Sequence, residues 1–226
     1  MRLDPTLIVI TDRAILARAS GMPLVEAARA AAGGGATLIQ LREKEIGGAE
    51  FLRLADDLRA ALEGQLADEL RAALEGSDCA LTVNDRVDVA LACGAEGAHL
   101  GQEDLPLRRA KAIAGARLGF GVSAGRPEWA AQAAMDGADY IGVGPIYPTG
   151  SKVTSRAPLG PEGMRAVLAR AGGVPAAAIG GITAENLAPV IAAGARGVAV
   201  IGAVMGAPDP GRAAREIRRR IEEARG

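Results

Sequence analysis

The sequence predicts an α/β fold, a single-domain (β/α)8 TIM barrel. Three observations predict it. Short apolar runs rich in strand formers recur eight times along the 226 residues, and they are near-continuous rather than alternating. That is the pattern of strands buried on both faces of a parallel sheet. Stretches with helical spacing separate the runs, and the length falls slightly below that typical of such a barrel. A doubly wound open sheet would want G-x-G-x-x-G after the first strand, and "ITDRAILAR" offers none.

The eight runs, in order, are "LIVITD" (7–12), "TLIQLR" (37–42), "ALTVND" (80–85), "GAHLGQ" (97–102), "RLGFGVSA" (117–124), "DYIGVGPI" (139–146), "PAAAIGGI" (175–182) and "GVAVIGAV" (197–204). Between them lie Ala-, Leu-, Glu- and Arg-rich segments such as "PLVEAARAAAGGG" and "AENLAPVIAAGA". The latter is expected to start after Thr183 as N-cap, with Asn186 three residues on. Helices ending in "GGGA", "CGAEGA", "DGAD" and "AGARG" carry the Gly expected just past a helix end. One segment departs from the pattern: "LRAALEG" occurs at 58–64 and again at 70–76. It reads as a helical duplication over 58–76 that extends the second helix or inserts a short extra one. No linker divides the chain, so 1–226 is expected to form one domain.

Composition excludes several classes. A hydrophobic content of 49% supports one sizeable core, and a net charge of −1 gives no reason to expect nucleic acid or an anionic membrane as partner. Aromatics at 2% weaken any reading that needs stacking platforms for bases or sugars. Cys79 and Cys93 belong to no C-x-x-C pair and read as reduced thiols. The N-terminal apolar run is too short for a signal peptide and none spans a membrane. A soluble cytoplasmic protein is expected, with homo-oligomerisation left open.

Barrels of this type build their sites at the carboxyl ends of the strands. The second strand ends in Gln40, Arg42 and Lys44, the third in Asn84 and Asp85, and the fourth in Gln102 and Asp104. The fifth ends in Ser123, and the sixth runs into "GPIYPTGSK" with Thr149, Ser151 and Lys152. Asp85 and Asp104 close neighbouring strands, which lie about 5 Å apart. Such a pair suits one Mg²⁺, which takes one or two carboxylates, waters and phosphate oxygens. The blander reading is that each caps the helix that follows. Arg42, Lys44 and Lys152 at the same rim suit a pyrophosphate. "IGGI" and "VIGAV" match the backbone phosphate site that these barrels form after strands seven and eight. The mouth therefore offers two phosphate sites, one with metal, for two small phosphorylated substrates or one with two phosphate groups. His99, the single histidine, is read as a packed, hydrogen-bonded core residue rather than a base. Asp12 lines the mouth or caps the next segment, and Trp129 packs a helix against the barrel.

Taken together, "QLREK", "VND", "HLGQED", "GVSA", "GPIYPTGSK" and "IGGI" resemble the thiamine phosphate synthase family over nearly the whole chain, in family order. The resemblance implies a transferase of thiamine biosynthesis. It would join 4-amino-2-methyl-5-hydroxymethylpyrimidine diphosphate to 4-methyl-5-(2-phosphoethyl)thiazole with Mg²⁺, giving thiamine phosphate and pyrophosphate. It implies that Gln40, Leu41, Arg42, Glu43, Lys44, Asn84, Ser123 and Lys152 bind the pyrimidine diphosphate. It assigns the thiazole phosphate to Thr149, Gly150, Ser151, Gly181, Ile201 and Gly202, and Mg²⁺ to Asp85 and Asp104. Arg42, Lys44, Ser123 and Lys152 would be catalytic. The chain departs from the family's usual residues at Ser151, where Thr is common, at Gly202, where Ser is common, and at Gly125, where His is common. A related isomerase depends on a histidine near the fifth strand end, where this chain reads "VSAGRPE". A barrel that only senses a phosphorylated ligand would need no group to activate a leaving pyrophosphate.

Overall fold

Residues 3–43, 49–57, 79–150 and 157–226 are described in the computed structural model. Eight parallel strands close into a barrel in sequence order. They are β1 (Leu7–Ile10), β2 (Leu38–Leu41), β3 (Ala80–Asn84), β4 (Gly97–Leu100), β5 (Gly119–Ser123), β6 (Tyr140–Val143), β7 (Ala176–Ile179) and β8 (Gly197–Val200). Each lies inside one of the eight apolar runs, and each is shorter than its run because the residues at the carboxyl end, polar in the first four runs and glycine-rich or apolar in the last four, belong to loops or the next helix. Asp12 illustrates this: its side chain accepts from Ile15 N at 2.9 Å and caps the next helix.

The helices that follow are α1 (Arg13–Ala19), α2 (Leu24–Gly33), α3 (residues 49–57), α4 (Val87–Ala92), α5 (Leu107–Ala114), α6 (Pro127–Met135), α7 (Gly160–Leu168), α8 (Ala188–Ala192), α9 (Gly202–Met205) and α10 (Pro210–Arg225). The helices α2, α4, α6 and α8 are each followed by a glycine in the left-handed region: Gly35, Gly94, Gly137 and Gly194. α10 has an N-cap at Asp209 and packs on α2 at close range. A Cβ at Gly34 would lie 2.4 Å from the Gly211 carbonyl oxygen, so this crossing requires glycine.

Period-two alternation sorts the strand residues into two layers. Leu7, Val9, Ile39, Leu41, Leu81, Val83, Ala98, Leu100, Phe120, Val122, Ile141 and Val143 are buried against the helices in the larger core. Ile8, Ile10, Leu38, Ala80, Tyr140, Ala177 and Ala199 form a second cluster, which fills the barrel interior, with Leu3 plugging its base. Leu3 fits there because Gly97 and Gly119 lack a Cβ, which would sit 2.8 and 2.9 Å from it.

One expectation changes. The helix expected after Thr183 begins at Ala188. Asn186 organises the preceding loop instead: its Oδ1 accepts from Thr183 N and its Nδ2 donates to Gly181 O, both at 2.8 Å. A side chain that satisfies loop backbone in this way competes with helix formation. The "LRAALEG" duplication lies outside the described residues.

Candidate active site

The upper interior of the barrel is polar. Gln40, Thr82, Asn84, His99, Ser123 and Tyr140 share the inward-facing set with Ile10, Ala177 and Ala199. Strand register explains why. Gln40 pairs with Thr82, Asn84 with His99, His99 with Gly121, and Gly121 with Tyr140. Tyr140 is fully buried and fits only because position 121 is glycine: a Cβ there would fall 2.1 Å from the Tyr140 Cζ.

Its phenol meets the Gln40 and Thr82 side chains and, at 2.9 Å, His99 Nδ1. Burial pushes the Tyr140 pKa well up, so the phenol keeps its proton and can donate it. The other ring nitrogen, His99 Nε2, lies 3.0 Å from Ser123 Oγ. The two hydrogen bonds form a chain from the barrel interior to the mouth. Ser123 is also held through its backbone, where Gln102 Nε2 donates to its carbonyl oxygen at 2.6 Å.

Above this floor opens a cavity of about 480 Å³, the open space at its mouth included. It is lined by Gln40, Arg42, Asn84, His99, Ser123 and Tyr140, with apolar walls from Ile8, Ile10, Ile179 and Ile201. Apolar walls with a few converging polar groups form the usual design of a small-molecule site.

Of the residues expected at the site, Gln40, Arg42, Asn84, Ser123 and Ile201 are brought together around this cavity. The Arg42 backbone is fixed by its N–H donating to Thr11 Oγ1 at 3.0 Å. Leu41, between two lining residues, is fully buried on the helix-facing side, so its side chain faces away from the cavity. Glu43 turns to Arg13, whose Nε lies 3.1 Å from its Oε1. That oxygen is buried, and among the described residues the Arg13 guanidinium is the charge beside it. Burial raises the Glu43 pKa, and the Arg13 charge opposes this.

Asp85 and Asp104 follow β3 and β4 on the same end of the barrel. Neither is the N-cap of the next helix; those positions are Arg86 and Pro106. Asp85 has φ 64°, the one non-glycine residue in the left-handed region among those described. Aspartate tolerates that conformation better than most residues, and such strain concentrates at functional positions. Asp104 folds back so that its Oδ2 accepts from Gly101 N at 2.6 Å, and a Cβ at Gly101 would come within 2.9 Å of that oxygen. Two half-buried carboxylates on adjacent strand ends are a hard-oxygen donor set of the kind Mg²⁺ takes.

The loop after β6 is clamped to the turn after β7. Ile146 N donates to Ile179 O at 2.9 Å and Tyr147 N to Gly180 O at 3.0 Å. Gly180 and Gly181 have φ of 97° and 65°, and a Cβ at Gly181 would meet the Pro148 carbonyl oxygen at 2.5 Å. Both positions therefore demand glycine. Thr149 and Gly150 stand at the end of this clamped loop. Beside it, α9 starts after Ile201, and Val204 N is the first to bond back, to Ile201 O at 3.1 Å. The N–H groups of Gly202 and Ala203 precede that first bond and belong to the orphan donors of a helix start. Lys44, Ser151 and Lys152 lie outside the described residues.

His99 is hydrogen-bonded as expected but differs from the sequence reading in its burial. It is not enclosed in the core but half-buried, lining the cavity with both ring nitrogens engaged. The signal was present in "GAHLG": Ala98 and Leu100 are the outward pair, so the residue between them must face inward. Tyr140 was missed for the same reason, and glycine at 121 marks the room kept for its ring. Trp129 is partly buried against the main core, as expected, with the Arg126 guanidinium 4.9 Å from its ring centre.

The chain can now be set beside known proteins. A family model described as thiamine monophosphate synthase matches residues 7–204. A thiamine-phosphate synthase of Moorella thermoacetica is 47% identical over 206 residues, 91% of this chain and 92% of that one. Another of Methanoregula boonei is 45% identical over 225 residues, 100% and 96% of the two chains. Among solved structures, a thiamine phosphate pyrophosphorylase from Pyrococcus furiosus superposes with a TM-score of 0.82 at 39% identity, covering 100% of this chain and 99% of that one. With residues 7–204 matched by the family model and relatives so similar over almost their full length, the chain belongs to the thiamine monophosphate synthase family and is an enzyme of the transferase class.

Proposed function

We propose that this transferase is a Mg²⁺-dependent thiamine phosphate synthase. It joins 4-amino-2-methyl-5-hydroxymethylpyrimidine diphosphate to 4-methyl-5-(2-phosphoethyl)thiazole and releases pyrophosphate. The observation that carries the reading is the convergence of Gln40, Arg42, Asn84 and Ser123 on one cavity, with Asp85 and Asp104 on the adjoining strand ends. Gln40, Asn84 and Ser123 orient the pyrimidine, and Leu41 contributes only backbone. Arg42, Lys44 and Lys152 grip the diphosphate, the Arg through parallel hydrogen bonds and the lysines as point charges. Asp85 and Asp104 would hold Mg²⁺, which when bound screens the negative charge growing on the leaving pyrophosphate. Thr149, Gly150, Ser151, Gly181, Ile201 and Gly202 receive the thiazole phosphate, largely through backbone N–H groups. The carbon–oxygen bond breaks first, the electron-rich aminopyrimidine stabilises the methylene cation, and the thiazole nitrogen attacks it. Such a route calls on no protein nucleophile.

The test is a Mg²⁺ titration of turnover in wild type and Asp85→Asn. The variant should need at least about tenfold more Mg²⁺ or lose about 100-fold in kcat, the size of effect expected when one charge-stabilising group is removed. An unchanged Mg²⁺ requirement would remove Asp85 from the metal site.

A further inference from the structure

We propose that His99 is a positioning residue for the transfer, holding the Ser123 hydroxyl over the cavity, while Tyr140 at its other nitrogen decides whether that hydroxyl donates or accepts toward substrate. The inference rests on the placement of Ser123 against the pyrimidine diphosphate given above.

A neutral imidazole offers one donor and one acceptor. Among the described residues Tyr140 Oη lies at Nδ1 and Ser123 Oγ at Nε2, at 2.9 and 3.0 Å, so on a neutral ring these two play opposite parts. If the phenol donates to Nδ1, the ring donates to Ser123, whose own proton is left for the ligand. If the phenol accepts, Ser123 donates to the ring and shows the ligand only lone pairs. The state of the hydroxyl at the mouth is thus set from the buried interior, where Gln40 and Thr82 also engage the phenol.

The geometry allows little slack. The imidazole and phenol rings lie with centroids 5.5 Å apart at 34°. A Cβ at position 142 would touch His99 Cε1 at 3.4 Å, so the strand passes directly beside the ring. Gly121 brings the Tyr140 ring against the barrel wall, and Gln102 fixes the Ser123 backbone. A hydroxyl on a free serine rotates among three staggered positions; this one is held from behind.

His99 is the only histidine in the chain, so a tag-free protein labelled with ¹⁵N-histidine gives the resonances of one imidazole. At pH about 8 the wild type should show one protonated and one bare nitrogen, a single tautomer. Tyr140→Phe should move the pair toward tautomeric averaging, and Ser123→Ala should perturb the Nε2 signal more than the Nδ1 signal. An averaged pair in wild type, or a pair unmoved by Tyr140→Phe, overturns the proposal. The kinetic arm uses His99→Ala, Ser123→Ala and their double variant with both phosphorylated substrates. His99→Ala should lower kcat about 10- to 100-fold, as loss of an orienting partner does, with KM for the thiazole phosphate little changed. The double variant should be within about twofold of Ser123→Ala alone. Losses that multiply would mean that His99 acts independently of Ser123, against the proposal. If His99→Ala does not fold, Tyr140→Phe keeps both readouts available. Failure of the wild type to make thiamine phosphate would sink the proposed reaction while the resonances still decide the hydrogen-bond chain.

Discussion

Replacing Gly121 by alanine tests the packing that builds the site floor. The backbone at Gly121 is ordinary strand, so the added methyl costs nothing in conformation and slightly favours β-structure. What it meets is rigid: the new Cβ would lie 2.1 Å from Tyr140 Cζ and 2.4 Å from both Cε1 and Oη. A fully buried aromatic ring cannot yield by a rotamer change at its tip, so Tyr140 must shift bodily. Overpacking of this kind costs about 1–3 kcal/mol. Pulling the phenol from His99, Gln40 and Thr82 leaves buried polar groups unpaired, about 1–3 kcal/mol more. For a chain of this size about 4 kcal/mol corresponds to a fall in Tm of roughly 8–16 °C. Differential scanning calorimetry reads the fall directly. In a Tyr140→Leu background the same substitution should cost at least about 1 kcal/mol less, because the clashing atoms are gone. A Gly121→Ala Tm within a degree or two of wild type would refute the view that the tyrosine fills the space that glycine leaves.

Glu43 gives a pH prediction. Its folded pKa is raised above the usual 4.5 mainly by burial, so folding favours its protonated form. That contribution is present at low pH and is lost as pH rises from about 4.5 through the folded value. Stability measured by urea denaturation should therefore fall over that range in wild type relative to Glu43→Gln; parallel curves would contradict it. Burial pushes the Cys79 thiol up to about 12, so at pH 8 the native protein should alkylate there far more slowly than the urea-unfolded chain. Equal rates would show that the thiol is open to solvent. Lys152→Ala should lower kcat by more than it weakens thiazole phosphate binding, measured by calorimetry. The reverse split would move Lys152 to the other phosphate site.

The strands were legible because both their faces are apolar: Leu7–Ile10 and Gly197–Val200 leave no other reading than a two-sided burial. The strand-end logic also picked out Gln40, Arg42, Asn84 and Ser123, which line one cavity, since polar residues closing a buried strand face the barrel mouth. It was blind to His99 and Tyr140, which sit within the runs rather than at their ends. Only the alternation with Ala98, Leu100 and Ile141 tells that they point inward, and short apolar runs make that phase hard to fix. The loop before α8 was misjudged because Thr183 has the chemistry of an N-cap, yet its hydroxyl pairs with the Glu185 side chain and Asn186 ties the loop backbone together through Thr183 N and Gly181 O. Leu41 lies between two lining residues on one strand, and period two alone turns it outward.

The central claim is tested most directly by measuring pyrophosphate release from the purified chain with Mg²⁺, the pyrimidine diphosphate and the thiazole phosphate, each omitted in turn. The account predicts release only when all three are present, with thiamine phosphate formed in equal amount. Release without the thiazole phosphate would mean hydrolysis in place of transfer. No release from the complete mixture, with the thiazole phosphate still bound, would contradict the synthase reading and leave the barrel with only a phosphate-binding mouth.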